Sequence, residues 1–532
     1  MASATYNALD KAWRSTCRVL FGQEVGELAL FRDWICEYDY STRIEKSSIS
    51  GKDIAITMDD FSPHARYLSF EEVNFQKKFE PIGINDMKDI DSLVAAAEER
   101  IAYTGNVVLG NSLYVEGSTG VTDSNFVLDS RMVNNSKYIA YSRWEANVEY
   151  CFGGFGTTLG KFIVKSSGSN ITRCFDCHMV NDLSDCYYCA KAINCRECML
   201  CFGTENKTHC IGNTSLARDE YAQLKKKLLS EIAETMKKDK RIFSLLRIIE
   251  LSSKYPVNEL NIPFPKARER PFTLQPIKDA FSKTSTLLLG RGLGLLDCEK
   301  FLQRHVPPNP EIKSCLSKSK LLVGGYRANL LSLYDLEPRM ATEDEIREIG
   351  KHGIGRGKVG ALKMDADSLC ELLHPIVYFN LEKDTGKISN VGKCAVVINS
   401  SDGYATCALI QSKKCAYCFW PLDSESMFGC YMAHSSSFCM NAYNSKKLTR
   451  CFEVDSCESC SDAYFLHNCE NVRDSMFCFN AKNLAHAIGN AALPVEEYKR
   501  VKSSLVAQIA GELEKKKDLK WDIFTIGARE AK

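Results

Sequence analysis

Residues 445–492 divide without remainder into four lines of twelve: SKKLTRCFEVDS, CESCSDAYFLHN, CENVRDSMFCFN and AKNLAHAIGNAA. Stacked, they put Phe452, Tyr464, Met476 and Ile488 at the eighth place. The same cut runs back to Val397 and adds Tyr404, Ala416, Phe428 and Met440 to that row. A second series cut from Gly120 puts Val127, Ile139, Cys151, Ile163, Phe175, Tyr187, Met199 and Ile211 there. Of the 19 cysteines in the two stretches, 17 fall on places 1, 4, 7 or 10, with Cys151 and Cys407 the exceptions, where chance would put about a third. Twelve residues is too short for a helical-hairpin repeat, which needs roughly 33, but suits one circuit of a narrow β-solenoid. At about 3.3 Å per residue each circuit is ~40 Å round, and eight circuits stack to nearly 40 Å. Small residues every third place fit the inward positions, and cysteine serves there as a small buried hydrophobe. The eighth-place row is expected to form an apolar ladder, either as plain core or as a strip covered by the helices or the other copy.

The two series are copies of one another. HCIGN at 209–213 lies over HAIGN at 486–490, an offset of 277 positions that also places INCRECMLCFG over ENVRDSMFCFN, NITRCFDC over KKLTRCFEV and TDSNFVLDS over NSSDGYATC. Further upstream the match drifts: VLFGQEVGEL with LLLGRGLGLL, SSIS with SCLS, DIDSLVAA with DADSLCEL. Ser69 and Thr342 each stand three places before a glutamate, Glu72 and Glu345, as paired capping boxes. The predicted fold class is α+β, mainly β: two tandem copies of a short solenoid, each flanked and capped by α-helices. The expected segments are 1–118 (helices and strands of copy one), 119–213 (solenoid one), 214–255 (capping helix), 256–279 (Pro-rich linker with Pro263, Pro265, Pro271 and Pro276), 280–396 (the equivalent lead segment), 397–490 (solenoid two) and 491–532 (capping helix and tail). An open solenoid end offers unpaired strand edges, so the acidic-Tyr helix starts after Asn213 and Asn490 are the natural caps.

Composition narrows the class. The chain has 532 residues, 68 Lys and Arg against 67 Asp and Glu, and 25 cysteines. That length implies more than one core, and the charge balance gives no global field for nucleic acid or membrane. Cysteine is too sparse for a disulfide scaffold, and the first residues lack the apolar run of a secretory signal. The expectation is a reduced, cytoplasmic protein, neither secreted nor membrane-spanning, with the sequons at Asn134, Asn170 and Asn206 due to chance.

The strongest candidate for chemistry is the thiol ladder of copy one, where CFDC, CYYC and CMLC put Cys174 with Cys177, Cys186 with Cys189, and Cys198 with Cys201 on successive circuits, beside Cys195 and Cys210. Four sulfurs could hold zinc or an iron–sulfur cluster. Copy two has Val454, Ala463, Leu466 and Ser475 at equivalent places, leaving only Cys415 with Cys418 and Cys457 with Cys460, so packed thiols without a cofactor are the favoured reading, with metal and redox roles as alternatives. The glycine-rich runs at Gly290 and Gly353 lack the Lys-Ser/Thr of a phosphate loop and read as turns. His209 and His486 occupy matching places in the last circuit and read as turn residues, as do His178 and His434 elsewhere. Lysines 225–227, 237, 238 and 240, and 515–517 and 520, make the capping helices locally basic, which reads as a solvated face, with contact to phosphate or an acidic partner as the alternative.

The run CMLCFGTENKTHCIGN with its DEY helix start resembles a cysteine-rich repeat of uncharacterised proteins from uncultured bacteria, archaea and their viruses, over residues 170–235 and more loosely 447–512. The resemblance implies the fold and no activity. The expected function is non-enzymatic: a rigid structural or assembly part of a larger particle such as a virion, contacting other protein subunits. A metal-binding module and a nucleic-acid-associated factor are the alternatives.

Overall fold

The structure, a computed structural model, describes residues 3–38, 42–264, 270–410, 414–417, 426–430 and 436–529. Pro265, Cys418 and His434 lie outside the described residues. The fold is mixed, with about 30% helix and 29% strand. The expected predominance of strand is therefore corrected, because the lead segments of both halves supply many short helices.

Two stacks of short parallel strands dominate. In the N-terminal half, Val115 pairs with Val127, Val127 with Ile139, Ile139 with Cys151 and Cys151 with Ile163, each twelve residues on. A second ladder interleaves with it, pairing Val121 with Val133 and Arg131 with Arg143. The C-terminal half repeats this, with Met440, Phe452, Tyr464, Met476 and Ile488 in one continuous row. The local cause is a three-residue unit, two extended residues and one left-handed. Every third residue has positive φ from Asp123 to Lys165, from Asn170 to His209 and from Phe438 to Gly489. Asparagine and aspartate accept this conformation readily, but here tyrosine, leucine and arginine adopt it too. Like side chains consequently stack: the rings of Tyr114, Phe126, Tyr138, Tyr150 and Phe162 follow one another at 4.7, 5.1, 4.8 and 4.8 Å, close to the spacing of adjacent strands.

The eighth-place row of the first stack is not one row. Ile163 pairs with Cys174, eleven residues on rather than twelve, after which Cys174, Cys186, Cys198 and Cys210 continue at twelve. One residue is missing at the corner Ser166–Ser169, where successive left-handed residues, Lys165 and Asn170, stand five apart. Val127, Ile139, Cys151 and Ile163 thus belong to the slender internal core with the cysteines. Phe175, Tyr187, Met199 and Ile211 belong to an outer row with Ala140, Phe152 and Val164 that packs on the helix Ala4–Phe21, Trp13 against Phe152 and Phe21 against Phe175. The uniform offset of 277 is corrected with it: upstream of the corner the halves are related by 276, so that Val127 matches the internal Gly403 and Leu128 matches Tyr404. In the C-terminal half the outer row packs on the helix Gln275–Leu289, Phe281 against Phe428.

Each stack ends in the same device. The Asn213 side chain accepts from Phe202 N at 2.8 Å and donates to Phe202 O at 2.9 Å. Asn490 does the same to Phe479 at 2.8 and 2.7 Å. A side-chain amide thus stands in for the peptide that a further strand would bring, and the helices Arg218–Asp239 and Val495–Lys516 follow. Both capping boxes form as expected, with Ser47 and Ser314 donating to Glu72 and Glu345.

The halves are seated reciprocally. From the N-terminal half, Arg100 donates to Gly489 O at 2.7 Å and Thr104 N donates to His467 Nε2 at 2.9 Å. From the C-terminal half, Ile354 N donates to Gly212 O at 3.1 Å, Gly212 being the equivalent of Gly489. The helix Glu343–Gly350 comes so close that a Cβ on Gly350 would lie 1.8 Å from Gly203 O, and one on Gly203 2.2 Å from Ile346 O. Asp91 meets Lys520 at 2.7 Å, and its counterpart Asp367 meets Lys254 at 2.8 Å. One apolar core runs through the helices of both halves, with Leu9, Phe281, Ile346 and Ile523 among its members.

Two outcomes test this arrangement. Asn213→Ala and Asn490→Ala each leave a buried peptide N–H and C=O unpaired and are expected to cost about 1–3 kcal/mol in chemical unfolding, while Asn206→Ala on the exposed row costs little. The second concerns His305, whose Nδ1 lies 3.0 Å from Asp60 Oδ1 of the other half and whose Nε2 lies 3.3 Å from Asp522 Oδ2. Burial opposes its charge, but the hydrogen bonds to Asp522 and Asp60 outweigh burial and raise its pKa to about 9. A raised histidine pKa gives stability that is complete below about 6.5 and is lost as pH rises through about 9. The wild-type melting temperature is expected to fall across that window, and His305→Gln to flatten the fall.

Candidate functional site

The thiols of the expected metal ladder lie inside the first stack. Cys174, Cys177, Cys186, Cys189, Cys198 and Cys201 are fully buried. Each Sγ points at two carbonyls, two residues back and nine ahead: Cys177 at Phe175 O and Cys186 O, both 3.4 Å, and Cys186 at Ser184 O and Cys195 O, 3.3 and 3.6 Å. Serines upstream in the same rows do the same, Ser124 Oγ reaching Thr122 O at 2.8 Å and Val133 O at 3.5 Å. Burial pushes the Cys177 and Cys201 thiols well up and Cys189 to about 12, which disfavours the thiolate at those three positions, whereas hydrogen bonds from Cys198 and Cys201 lower Cys210 to about 4. The 24 described cysteines are free, and among the described residues no group of three or more His, Cys, Asp or Glu is placed to hold a metal ion.

A different constellation is repeated between the halves. On one left-handed corner row of the first stack, Arg173, Asp185, Glu197 and His209 follow one another at twelve residues. Arg173 binds Asp185 with two bonds of 2.7 and 2.6 Å, and His209 Nε2 lies 2.8 Å from Glu197 Oε2. Next to this row Tyr187 donates to Leu20 O at 2.8 Å, at the end of the first helix. The capping helix lays Tyr221 against His209, ring centres 5.5 Å apart, and sets Lys225 Nζ 5.4 Å from the Tyr187 ring and 5.8 Å from that of Tyr221. The C-terminal half has Arg450 on Asp462 with two bonds of 2.6 Å, Tyr464 on Leu288 O at 2.6 Å, His486 near Tyr498 at 5.6 Å, and Lys502 Nζ 5.3 and 5.7 Å from the Tyr464 and Tyr498 rings. With Glu197 matched to Asp474, the seven side-chain pairs stand 277 apart, and the Leu20 and Leu288 carbonyls 268 apart. The one difference in bonding follows from side-chain length: Asp474, one methylene shorter than Glu197, is 3.3 Å from Lys502 instead of joining the histidine.

In the N-terminal half these residues wall a cleft of about 420 Å³ between Val19, Leu20, Phe21 and Gly22 on one side and Arg218, Tyr221, Lys225, Lys226 and Leu229 on the other. The hydroxyls of Tyr221 and Tyr498 are buried without a hydrogen-bond partner. His209 and His486, expected as plain turn residues, sit at this repeated site, and the constellation as a whole was not expected. It was detectable by carrying the 277 offset to the polar positions, but the apolar pattern drew the reading to the cysteines. Gly290 ends its helix in a left-handed cap, so its run is a turn as expected; the run at Gly353 is not, since it turns against Asn213 and Thr214 only at its start and forms the helix Arg356–Ala361 from there. Of the basic residues, Lys227 donates to Leu362 O and Lys237 to Gln23. Comparison with protein-family models, with curated proteins and with solved structures finds no match, and the site is read from its own geometry.

Because Ser475 stands in the second stack where Cys198 stands in the first, donating to Arg473 O at 2.8 Å, Cys186→Ser and Cys198→Ser are expected to remain folded, each costing less than about 2 kcal/mol, with unfolding unchanged by prior dialysis against chelator. Loss of the fold by chelator alone would show that the thiols bind metal.

Proposed function

We propose that the chain is a non-enzymatic structural or assembly protein, built as two β-solenoids of twelve residues per coil and contributing a rigid, pseudo-two-fold body to a larger particle of other protein subunits. The twelve-residue parallel register, its two interleaved ladders and the left-handed residue at every third position support the solenoid reading, since four three-residue sides make one circuit. The observation that carries the structural role is the reciprocal seating of each half's lead segment on the other half's stack. It joins two narrow rods into one body with a single helical core. The strand stacks begin upstream of the bounds 119 and 397 read from the sequence, at Val108 and Lys383, and in this reading the segments before and after them serve as clamps and caps.

An assembly surface is available. On the first rung of the first stack, Leu113 and Tyr114 are 62% and 51% exposed. The matching rung of the second stack is covered by Phe272, whose ring stacks on Tyr404 at 5.6 Å and lies against Gly392. Among the described residues no helix is long and apolar enough to cross a membrane. The resemblance to cysteine-rich proteins of microbes and their viruses is compatible with a virion or a similar particle assembled in the cytoplasm.

The test is sedimentation of the protein released from its native source at low salt. Migration in a complex several times the mass of one chain, lost on replacing Leu113 and Tyr114 by lysine, is expected. Migration as a single chain under those conditions overturns the proposal.

A further inference from the structure

The cleft of the N-terminal half has an unbalanced wall. Its two lining carboxylates are both engaged, Asp185 by Arg173 and Glu197 by His209. Its three cationic side chains, Arg218, Lys225 and Lys226, make no ion pair among the described residues, and Asp219 and Glu220 of the same helix do not line it. Opposite the cations lie the apolar groups Leu20 and Phe21, beside the Tyr187 ring, while Leu229 lies on the cations' own helix. Tyr221 is 2% exposed, and its hydroxyl, like that of Tyr498 in the other half, has no hydrogen-bond partner among the described residues. A buried hydroxyl without a partner carries a desolvation cost that a ligand oxygen or a bridging water would relieve. The volume, about 420 Å³, is that of a small-ligand site.

The C-terminal half serves as a control within the same molecule. It keeps the Arg, Asp, acid, His, Tyr and Lys framework but has Val495 where the first has Arg218 and Ser503 where the first has Lys226. It also has Lys499 where the first has Ala222; Lys502 is bonded to Asp474, and Lys499 is paired with Glu496. The Tyr and Lys contacts common to both halves join the capping helix to the stack, and the extra cations of the first half are left for something else.

We propose that the cleft of the N-terminal half binds a small phosphate monoester with an apolar or aromatic body, the phosphate held by Arg218, Lys225 and Lys226 and the body lying on Phe21, Leu229 and Tyr187. Two or three cations facing one dianion give charge-assisted hydrogen bonds, stronger than neutral ones, and an aromatic body adds apolar burial that inorganic phosphate lacks. The inference does not rest on the assembly role, since either could hold without the other.

The experiment is calorimetric titration of the full-length protein with phenyl phosphate, benzoate, inorganic phosphate and benzyl alcohol. One saturable site per chain is expected for phenyl phosphate. Benzoate and inorganic phosphate should bind at least about tenfold more weakly and benzyl alcohol not measurably. Arg218→Gln and Lys226→Gln, at exposed positions that leave the fold intact, should each weaken phenyl phosphate binding by about tenfold, Lys225→Gln by more, and Lys502→Gln not at all. Tyr221→Phe should weaken it by a few fold without moving the melting temperature downward. No saturable binding up to about 10 mM, binding equal for benzyl alcohol, or equal losses from Lys225→Gln and Lys502→Gln would overturn the proposal.

Discussion

A left-handed residue at every third position is the constraint on which the rest of this structure depends. Each such residue disfavours an isolated L-amino-acid chain by up to about 1–2 kcal/mol unless it is Gly, Asn or Asp. The stack persists because the same geometry sends one residue in three inward, where only small or slender side chains fit, and sets the other two in rows with their equivalents twelve residues away. Hydrogen bonds between neighbouring rungs, amide ladders such as Asn135 to Asn147 and Asn170 to Asp182, and the stacked rings from Tyr114 to Phe162 all repeat at strand spacing. The abundance of cysteine follows from this geometry. A thiol is small enough for the inner row, apolar enough to be buried, and can still point a weak donor at the carbonyls of its own and the next rung.

A rod of this kind has two liabilities, an open end and little core of its own, and the chain meets them with different means. The far end is closed by an asparagine amide that imitates one more peptide. Stability across the rod comes from the outer apolar row, which is wide enough to receive a helix, and from duplication, which lets each half clamp the other. The Gly203–Gly350 contact, backbone against backbone, shows how tight the clamp is. Charge enters it in matched pairs, Asp91 with Lys520 and Asp367 with Lys254, while the His305 cluster with Asp60 and Asp522 buries charge where the halves meet.

The repeated corner row shows how a duplicated site can diverge. Arg–Asp contacts along the corner row, and Tyr–carbonyl contacts from the stack to the helices Ala4–Phe21 and Gln275–Leu289, are retained in both halves. Substitution of Val495 for Arg218 and Ser503 for Lys226 removes positive charge from one copy only. The two halves therefore share a frame and differ in the charge they present beside it.

Much of this was legible in the chain itself. The twelve-residue register, the duplication, both capping boxes and the hand-over at Asn213 and Asn490 are local patterns, and local sterics enforce them wherever they occur. The sequence alone could not say which of Ile163 and Phe175 points inward, because a single missing residue at Ser166–Ser169 exchanges inner and outer rows while the apolar pattern on either side stays intact. Nor could it say that Arg100 would reach Gly489, or that Asp185, Glu197, His209 and Lys225 would meet at one cleft. Those positions are distant in sequence, and only the packing of the helices on the outer rows brings them together. Periodicity determined the unit and its count; the tertiary structure decided its phase, its partner and its charge.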